Sequence, residues 1–164
     1  MSIDNVPVNE PVLDGNEERY LLELSAWMHD VGKIGVPDSI LTKPTSLTED
    51  EFAIVKLHPV KGGEIVGEIV ELTRVADVIR HHHERMDGSG YPQGLKGAAI
   101  LLEARIMAVA DVVEAMSSHR PYRPGLGIES TLSEIERGRG SIYDAEVAGA
   151  CLRLFREKRY QLPA

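Results

Sequence analysis

Hydrophobic side chains recur at three- and four-residue steps along much of the chain, a spacing that places them on one face of an α-helix. The first stripe begins near Glu17 and continues through Leu21, Leu24, Met28 and Val31. Gly32, Gly35 and Pro37 follow it and predict the end of that helix.

A second helix start is indicated by Thr48 and Glu51, which have the spacing of a capping box. We expect this helix to bury Phe52 and to stop at His58, because Pro59 disfavours helical geometry in the residue before it. Similar apolar spacing predicts further helices at about residues 60–70, 72–83, 101–117, 128–137 and 144–159, the last capped by Asp144.

No segment of useful length alternates apolar and polar residues as a half-buried strand does. Residues 87–97 are rich in glycine and predict a loop. Residues 1–16 carry two prolines and no helical period, so we expect a loose arm there. The predicted architecture is therefore all-α, with a single helical bundle domain over residues 17–164.

The net charge of the chain bears on which ligands and macromolecules it can bind. The chain has 164 residues, with 18 Lys plus Arg and 26 Asp plus Glu, so its formal net charge is 18 − 26 = −8. Such an acidic surface disfavours nonspecific binding to DNA, which needs clustered cations. It leaves room for a small phosphate substrate, because a metal or a local cationic cluster can reverse the field inside a pocket.

The single cysteine, Cys151, excludes an internal disulfide and a cysteine-rich zinc site. No apolar run approaches the roughly 20 residues that a membrane span needs. The N-terminal residues also lack the charged-then-apolar pattern of a signal peptide. These features predict a cytoplasmic location.

Candidate chemistry lies in the histidines and in two aspartates. His29 and Asp30 adjoin a predicted helix end, where a capping aspartate beside an exposed histidine is the simpler interpretation. His58 could equally interact with a helix dipole. The run 81–83 consists of three consecutive histidines and is better explained by a metal site than by a basic surface.

Asp111 lies within an otherwise apolar helical stretch, so its carboxylate should be paired, ligated or at the edge of the bundle. Four histidines and two aspartates without cysteine suit a pair of Fe, Mn or Zn ions rather than a structural zinc site. Two such ions can clamp a phosphodiester and activate water between them. Lys33, shortly after Asp30, could neutralise a phosphoryl oxygen, although a solvated lysine near a helix end is an equally ordinary interpretation.

Several motifs occur together and in a characteristic order. They are His29-Asp30-Val31-Gly32-Lys33, His58-Pro59, His82-His83-Glu84 followed by the loop motif Gly90-Tyr91-Pro92, Ala110-Asp111 and Arg120-Pro121-Tyr122-Arg123. Over roughly residues 21–155 the chain resembles the HD-GYP domain, a subgroup of the HD metal-dependent phosphohydrolases.

The resemblance implies a helical bundle that hydrolyses cyclic di-GMP to pGpG, GMP or both. It implies metal ligation by His29, Asp30, His58, His82, His83 and Asp111, with Asp30 bridging two divalent ions. Fe or Mn is expected ahead of Zn, Ni or Mg. By the same resemblance, Lys33 has a catalytic, phosphate-contacting role, Arg120 and Arg123 bind substrate, and Tyr91 flanks the pocket.

The sequence also departs from the family pattern. Only 28 residues precede His29, and none is a histidine, so we expect the family's first helix to be absent and at most two metals to bind. Glu114 and His119 stand where the family often has aspartate, which bears on substrate contacts.

These departures keep a second hypothesis open, a degenerate domain that binds cyclic di-GMP or a diguanylate cyclase (GGDEF) partner without turnover. An HD phosphohydrolase acting on some other nucleotide is a third. A sensory or receiver domain and a second copy of the chain are further candidate partners.

Overall fold

A computed structural model describes residues 15–117 and 127–162. Over these residues the secondary structure consists of eight α-helices joined by turns and three short 3-10 helices, and no strand is present. The α-helices are α1 Gly15–Met28, α2 Asp38–Leu41, α3 Glu49–Val55, α4 His58–Gly67, α5 Thr73–His81, α6 Leu102–Ser117, α7 Ile128–Gly138 and α8 Ala145–Arg156. The predicted all-α class is confirmed.

The helix starts that depend on capping side chains are confirmed. The Thr48 hydroxyl accepts from the Glu51 amide, and the Glu51 carboxylate accepts from the Thr48 amide, which completes the capping box of α3. The Asp144 carboxylate accepts from the amides of Glu146 and Val147 at the start of α8. Local hydrogen bonding therefore sets both starts, as their sequences predict.

The prediction around Pro59 is wrong in one respect. α3 ends at Val55 rather than at His58, and His58 is the first residue of α4. Pro59 occupies the first turn of α4, where its missing N–H costs no helical hydrogen bond. The expected burial of Phe52 is also wrong, because 45% of this residue is exposed.

Two apolar clusters hold the helices together. The first joins α1, α4, α5 and the start of α6 through buried residues that include Leu21, Val66, Val78, Ile79 and Ile100. The second joins the later part of α6 to α7 and α8 through Val109, Val113, Leu132, Ile135 and Leu152. The helix α6 thus contributes to both clusters, and it also carries Asp111.

None of the helices in the described ranges is both long enough and apolar enough to cross a membrane.

Candidate metal centre

His29 and Asp30 lie in a turn, directly after the last residue of α1. In a continuous helix two adjacent side chains point about 100° apart. A turn allows both side chains to reach the same point. His29 Nε2 lies 3.5 Å from Asp30 Oδ2, and Nδ1 of the same ring lies 2.8 Å from the carbonyl oxygen of Ala26. The carbonyl thereby orients the His29 ring.

The 3-10 helix Val31–Gly35 continues from this turn and packs closely on α4. A Cβ added at Gly32 would collide with the main-chain carbonyl of His58 and lie 2.5 Å from the amide nitrogen of Gly62. The absence of a side chain at Gly32 therefore lets the segment that carries Asp30 approach His58. Asp30 Oδ1 lies 3.5 Å from His58 Nε2.

His58 and His82 are both buried and are held in the same way. Nδ1 of His58 lies 2.7 Å from the Val55 carbonyl oxygen, and Nδ1 of His82 lies 2.6 Å from the Ile79 carbonyl oxygen. Because a carbonyl only accepts hydrogen bonds, each Nδ1 carries a proton and each neutral ring keeps a lone pair on Nε2. Neither Nε2 has a hydrogen-bond partner.

His83 completes a group of three imidazoles. Candidate ligand atoms of His58, His82 and His83 all lie within 4.8 Å of one another. Asp111 approaches this group from α6, with Oδ2 3.8 Å from His83 Nδ1 and Oδ1 4.0 Å from His29 Nε2. Three imidazoles and a carboxylate thus surround one region of the interior.

The electrostatics of the cluster favour neutral imidazoles. Burial lowers the pKa of His58, and it lowers the pKa of His82 to about 3. Burial, followed by the neighbouring His82 ring, lowers the pKa of His83 to about 2. A neutral imidazole is the form that binds a metal ion.

The pKa values of the two aspartates, Asp30 and Asp111, are shifted in opposite directions. Burial acts to raise the pKa of Asp30, but the hydrogen bond and charge of Lys33, together with His29 and His58, hold it below its usual range. Burial raises the pKa of Asp111. Lys33 Nζ lies 2.5 Å from Asp30 Oδ2, so this ammonium stands at the edge of the cluster.

The glycine-rich loop is fixed to the same cluster by Glu84. This carboxylate is buried, with Oε1 2.7 Å from the amide nitrogen of Gln93 and Oε2 3.0 Å from that of Leu95. At Gly90 a Cβ would lie 2.5 Å from main-chain atoms of residues 83–85, so glycine permits the loop to fold back on them. The Tyr91 ring stacks on His83 with 4.7 Å between centroids, and Pro92 follows Tyr91 through a cis peptide bond.

The structure therefore brings together six side chains that the sequence singled out: His29, Asp30, His58, His82, His83 and Asp111. Lys33 and Tyr91 border them. Arg120, Arg123 and His119 lie outside the described residues, as does most of the predicted arm. Sequence reasoning assigned no role to Glu84, although its position between a histidine run and a glycine-rich loop is a usable signal.

The donor set fits divalent metal ions. Two buried Nε2 lone pairs without a partner would be costly in a purely structural core, because buried polar atoms are nearly always hydrogen-bonded. Carbonyl groups that orient the opposite ring nitrogen are typical of metal-ligating histidines. Nitrogen and carboxylate ligands without thiolate suit Fe, Mn or Zn.

Comparison with known proteins agrees with this geometry. The HD domain family model matches residues 12–147. A protein named cyclic di-GMP phosphodiesterase response regulator RpfG, from Xanthomonas campestris pv. campestris, is 47% identical over 139 residues, which are 84% of this chain and 37% of that protein.

Two further relatives are similar. A cyclic di-GMP phosphodiesterase from Thermotoga maritima is 44% identical over 149 residues, covering 87% of this chain and 40% of that protein. A 3'3'-cGAMP-specific phosphodiesterase 3 from Vibrio cholerae is 36% identical over 149 residues, which are 89% of this chain and 32% of that protein. The chain thus spans two fifths or less of the length of each of these relatives.

HD domains are metal-dependent, and His58, His82 and His83 form a group whose ligand atoms are close enough together to hold a metal ion. The order of the motifs, the glycine-rich loop beside the cluster and the match over residues 12–147 agree with one another. The chain belongs to the HD domain family, and its predicted place in the HD-GYP subgroup is confirmed.

Proposed function

We propose that this domain is a metal-dependent phosphodiesterase that hydrolyses cyclic di-GMP to pGpG, GMP or both. The observation that carries the proposal is the pair of buried Nε2 atoms of His58 and His82 without a hydrogen-bond partner, in a group of imidazoles that Asp30 approaches at His58. The names of the relatives from Xanthomonas and Thermotoga support cyclic di-GMP as the substrate.

Six side chains would hold two divalent ions, with Fe or Mn ahead of Zn, Ni or Mg: His29, Asp30, His58, His82, His83 and Asp111. Asp30 is suited to bridge, because its two oxygens face different histidines, Oδ2 toward His29 and Oδ1 toward His58. Bound divalent cations supply polarisation of a phosphoryl oxygen and lower the pKa of water.

The chain's own residues prepare the site for a phosphate. The Val55 and Ile79 carbonyls hold the His58 and His82 rings, so the ligand atoms are oriented before anything binds. The Lys33 ammonium beside Asp30 is placed to neutralise charge on a non-bridging phosphoryl oxygen. Tyr91 covers one face of His83 and would limit access of water from that side.

The remaining substrate contacts are also proposals. Arg120 and Arg123 would hold a phosphate or guanine, which guanidinium groups recognise in a two-point geometry. A receiver, sensory or GGDEF domain and a second copy of the chain remain predicted partners. One relative is named a response regulator, which agrees with a receiver partner.

The direct test is anaerobic loading with Fe(II) or Mn(II), followed by incubation with cyclic di-GMP and chromatography of the products. We expect pGpG or GMP from the wild type. Asp30→Asn keeps the shape of the side chain but removes its charge, and it should form no product. Bound metal and bound cyclic di-GMP without any product would contradict the proposal and support a binding domain instead.

The relative named for 3'3'-cGAMP makes a competition assay useful. Equal concentrations of cyclic di-GMP and 3'3'-cGAMP should yield faster loss of cyclic di-GMP. Preferential loss of 3'3'-cGAMP would retain the reaction class and replace the substrate.

A further inference from the structure

Tyr91, Lys56 and Phe52 form a series of contacts that begins at His83 of the histidine cluster. Tyr91 stacks on His83, and the Lys56 ammonium lies 5.4 Å from the Tyr91 ring centroid. The same ammonium lies 4.7 Å from the ring centroid of Phe52. Lys56 therefore stands between two rings, one of which touches a candidate metal ligand.

Phe52 is one of several large apolar side chains that are exposed, and it is the one that contacts Lys56. Its helix α3 has the apolar spacing of a half-buried helix, yet 45% of Phe52 is exposed. An exposed phenyl ring beside a nucleotide site offers a face on which a base can stack. Only Lys56 and Leu57 separate the end of α3 from His58, the first residue of α4.

Lys56 differs from the other cations near the cluster. Lys33 is paired with Asp30, and Arg85 donates to the carbonyl oxygens of His82 and Glu84. Within residues 15–117 and 127–162, no carboxylate lies within ion-pairing distance of Lys56, whose contacts are the two aromatic rings. An ammonium in that setting is available to an acceptor on a ligand.

We propose that Phe52 and Lys56 form a guanine subsite beside the proposed cyclic di-GMP site. This inference rests on the proposed function, since it assigns the base-binding side of the same site. Phe52 stacks on the base, and Lys56 donates to the O6 and N7 acceptors of guanine, the edge that lysine reads on nucleic acids. Adenine offers N7 alone and presents an amino group in place of O6.

The alternative is purely structural. Phe52 and Lys56 are four residues apart, so their contact can simply stabilise the end of α3. In that case substitution would change thermal stability and leave nucleotide affinity unaltered. The two interpretations therefore predict different results in a binding experiment.

The experiment measures equilibrium binding of cyclic di-GMP and cyclic di-AMP by calorimetry, with the full chain. Phe52→Leu removes the aromatic face but keeps an apolar side chain, and Lys56→Met keeps the aliphatic stem. Ile54→Ala, on the same helix and also exposed, is the matched control. Binding is measured directly, so the result does not depend on turnover.

We expect Phe52→Leu to weaken both dinucleotides about tenfold, the loss that one base stack represents. Lys56→Met should weaken cyclic di-GMP more than cyclic di-AMP, and Ile54→Ala should change neither. In the hydrolysis assay the first two variants should raise KM with little change in kcat. Wild-type binding without hydrolysis would refute the proposed function alone, whereas variants that bind like Ile54→Ala, or a wild type that binds no dinucleotide, would refute the subsite.

Discussion

Buried polar groups differ in their hydrogen bonding between the first half of the domain, which precedes α6, and the second half, which consists of α6–α8. Buried side-chain nitrogen or oxygen atoms without a partner occur at Ser25, His58, Arg74, His81 and His82, all before α6. In the described part of α6–α8 no such atom is found. There the buried Thr131 hydroxyl donates to the Gly127 carbonyl, and the Asp144 carboxylate caps α8.

This difference coincides with the position of the candidate metal centre, because His58 and His82 both lie in the first half. The second half is packed as a stable core should be, with apolar contacts and satisfied polar groups. The first half retains three buried imidazole nitrogens without a hydrogen-bond partner, at His58, His81 and His82, and those of His58 and His82 belong to the group of three imidazoles. Substitutions in the two halves should therefore have different consequences for metal content and for stability.

The largest expected effect is on metal content. His82→Ala removes a buried ligand and should lower metal affinity by at least about 100-fold, since even indirect disturbance of a ligand costs 10- to 100-fold. The neighbouring His81→Ala is the matched control, because His81 lies outside the group of three imidazoles. Metal analysis after gel filtration distinguishes them, and equal metal loss in both variants would refute the assignment.

A substitution in the second half should lower the stability of the protein and leave its metal content unchanged. Leu132 is 1% exposed within the α6–α8 cluster, so Leu132→Ala should reduce the free energy of unfolding by about 3 kcal/mol. Urea titration measures that loss. The metal content of the folded protein should stay at the wild-type value, and a parallel loss of metal would show that the two halves are coupled.

Gly32 tests the contact between the Asp30 segment and α4. Gly32→Ala would place a methyl group against the His58 carbonyl and should destabilise the protein by about 2 kcal/mol, with reduced metal binding. Gly35→Ala is the control, because a Cβ there meets nothing within 4 Å. Thermal unfolding that leaves both variants equally stable would contradict the close approach.

The smallest effect concerns Asp144. Hydrogen bonds from the Val147 and Glu146 amides, together with Arg105, hold the pKa of Asp144 below its usual range despite partial burial. A lowered pKa in the folded state stabilises the protein above the unfolded value of about 3.9, and that stability is lost as the pH falls through the folded pKa.

Asp144→Ala should therefore cost about 1 kcal/mol at pH 7 through loss of the cap. Asp144→Asn retains a capping oxygen, so it should lose less at pH 7 and show a weaker decline below pH 4. Unfolding measured from pH 3 to pH 7 decides this, and identical acid profiles for wild type and Asp144→Asn would contradict the assignment.

The sequence predicts the helices well where local chemistry determines them. Thr48 and Asp144 start α3 and α8 as expected, because a side chain and a nearby amide suffice. The boundary near Pro59 could not be decided in this way, since proline both ends one helix and suits the first turn of the next. The exposure of Phe52 depends on tertiary packing, which apolar spacing alone does not determine.

The candidate ligands were predictable from residue type and motif order, but their orientation was not. The Val55 and Ile79 carbonyls select the tautomers of His58 and His82, a detail that requires coordinates. The close approach at Gly32 and the two amides that bind Glu84 are likewise long-range features. The sequence therefore identifies the candidate ligand side chains, and tertiary packing orients their ligand atoms.

The most direct test of the metal centre is anomalous X-ray diffraction from crystals of the Mn(II)-loaded protein, recorded on either side of the manganese absorption edge. We predict two anomalous peaks, bounded by the Nε2 atoms of His58 and His82 and by the carboxylates of Asp30 and Asp111. No peak among these side chains, or manganese bound only elsewhere, would contradict the account.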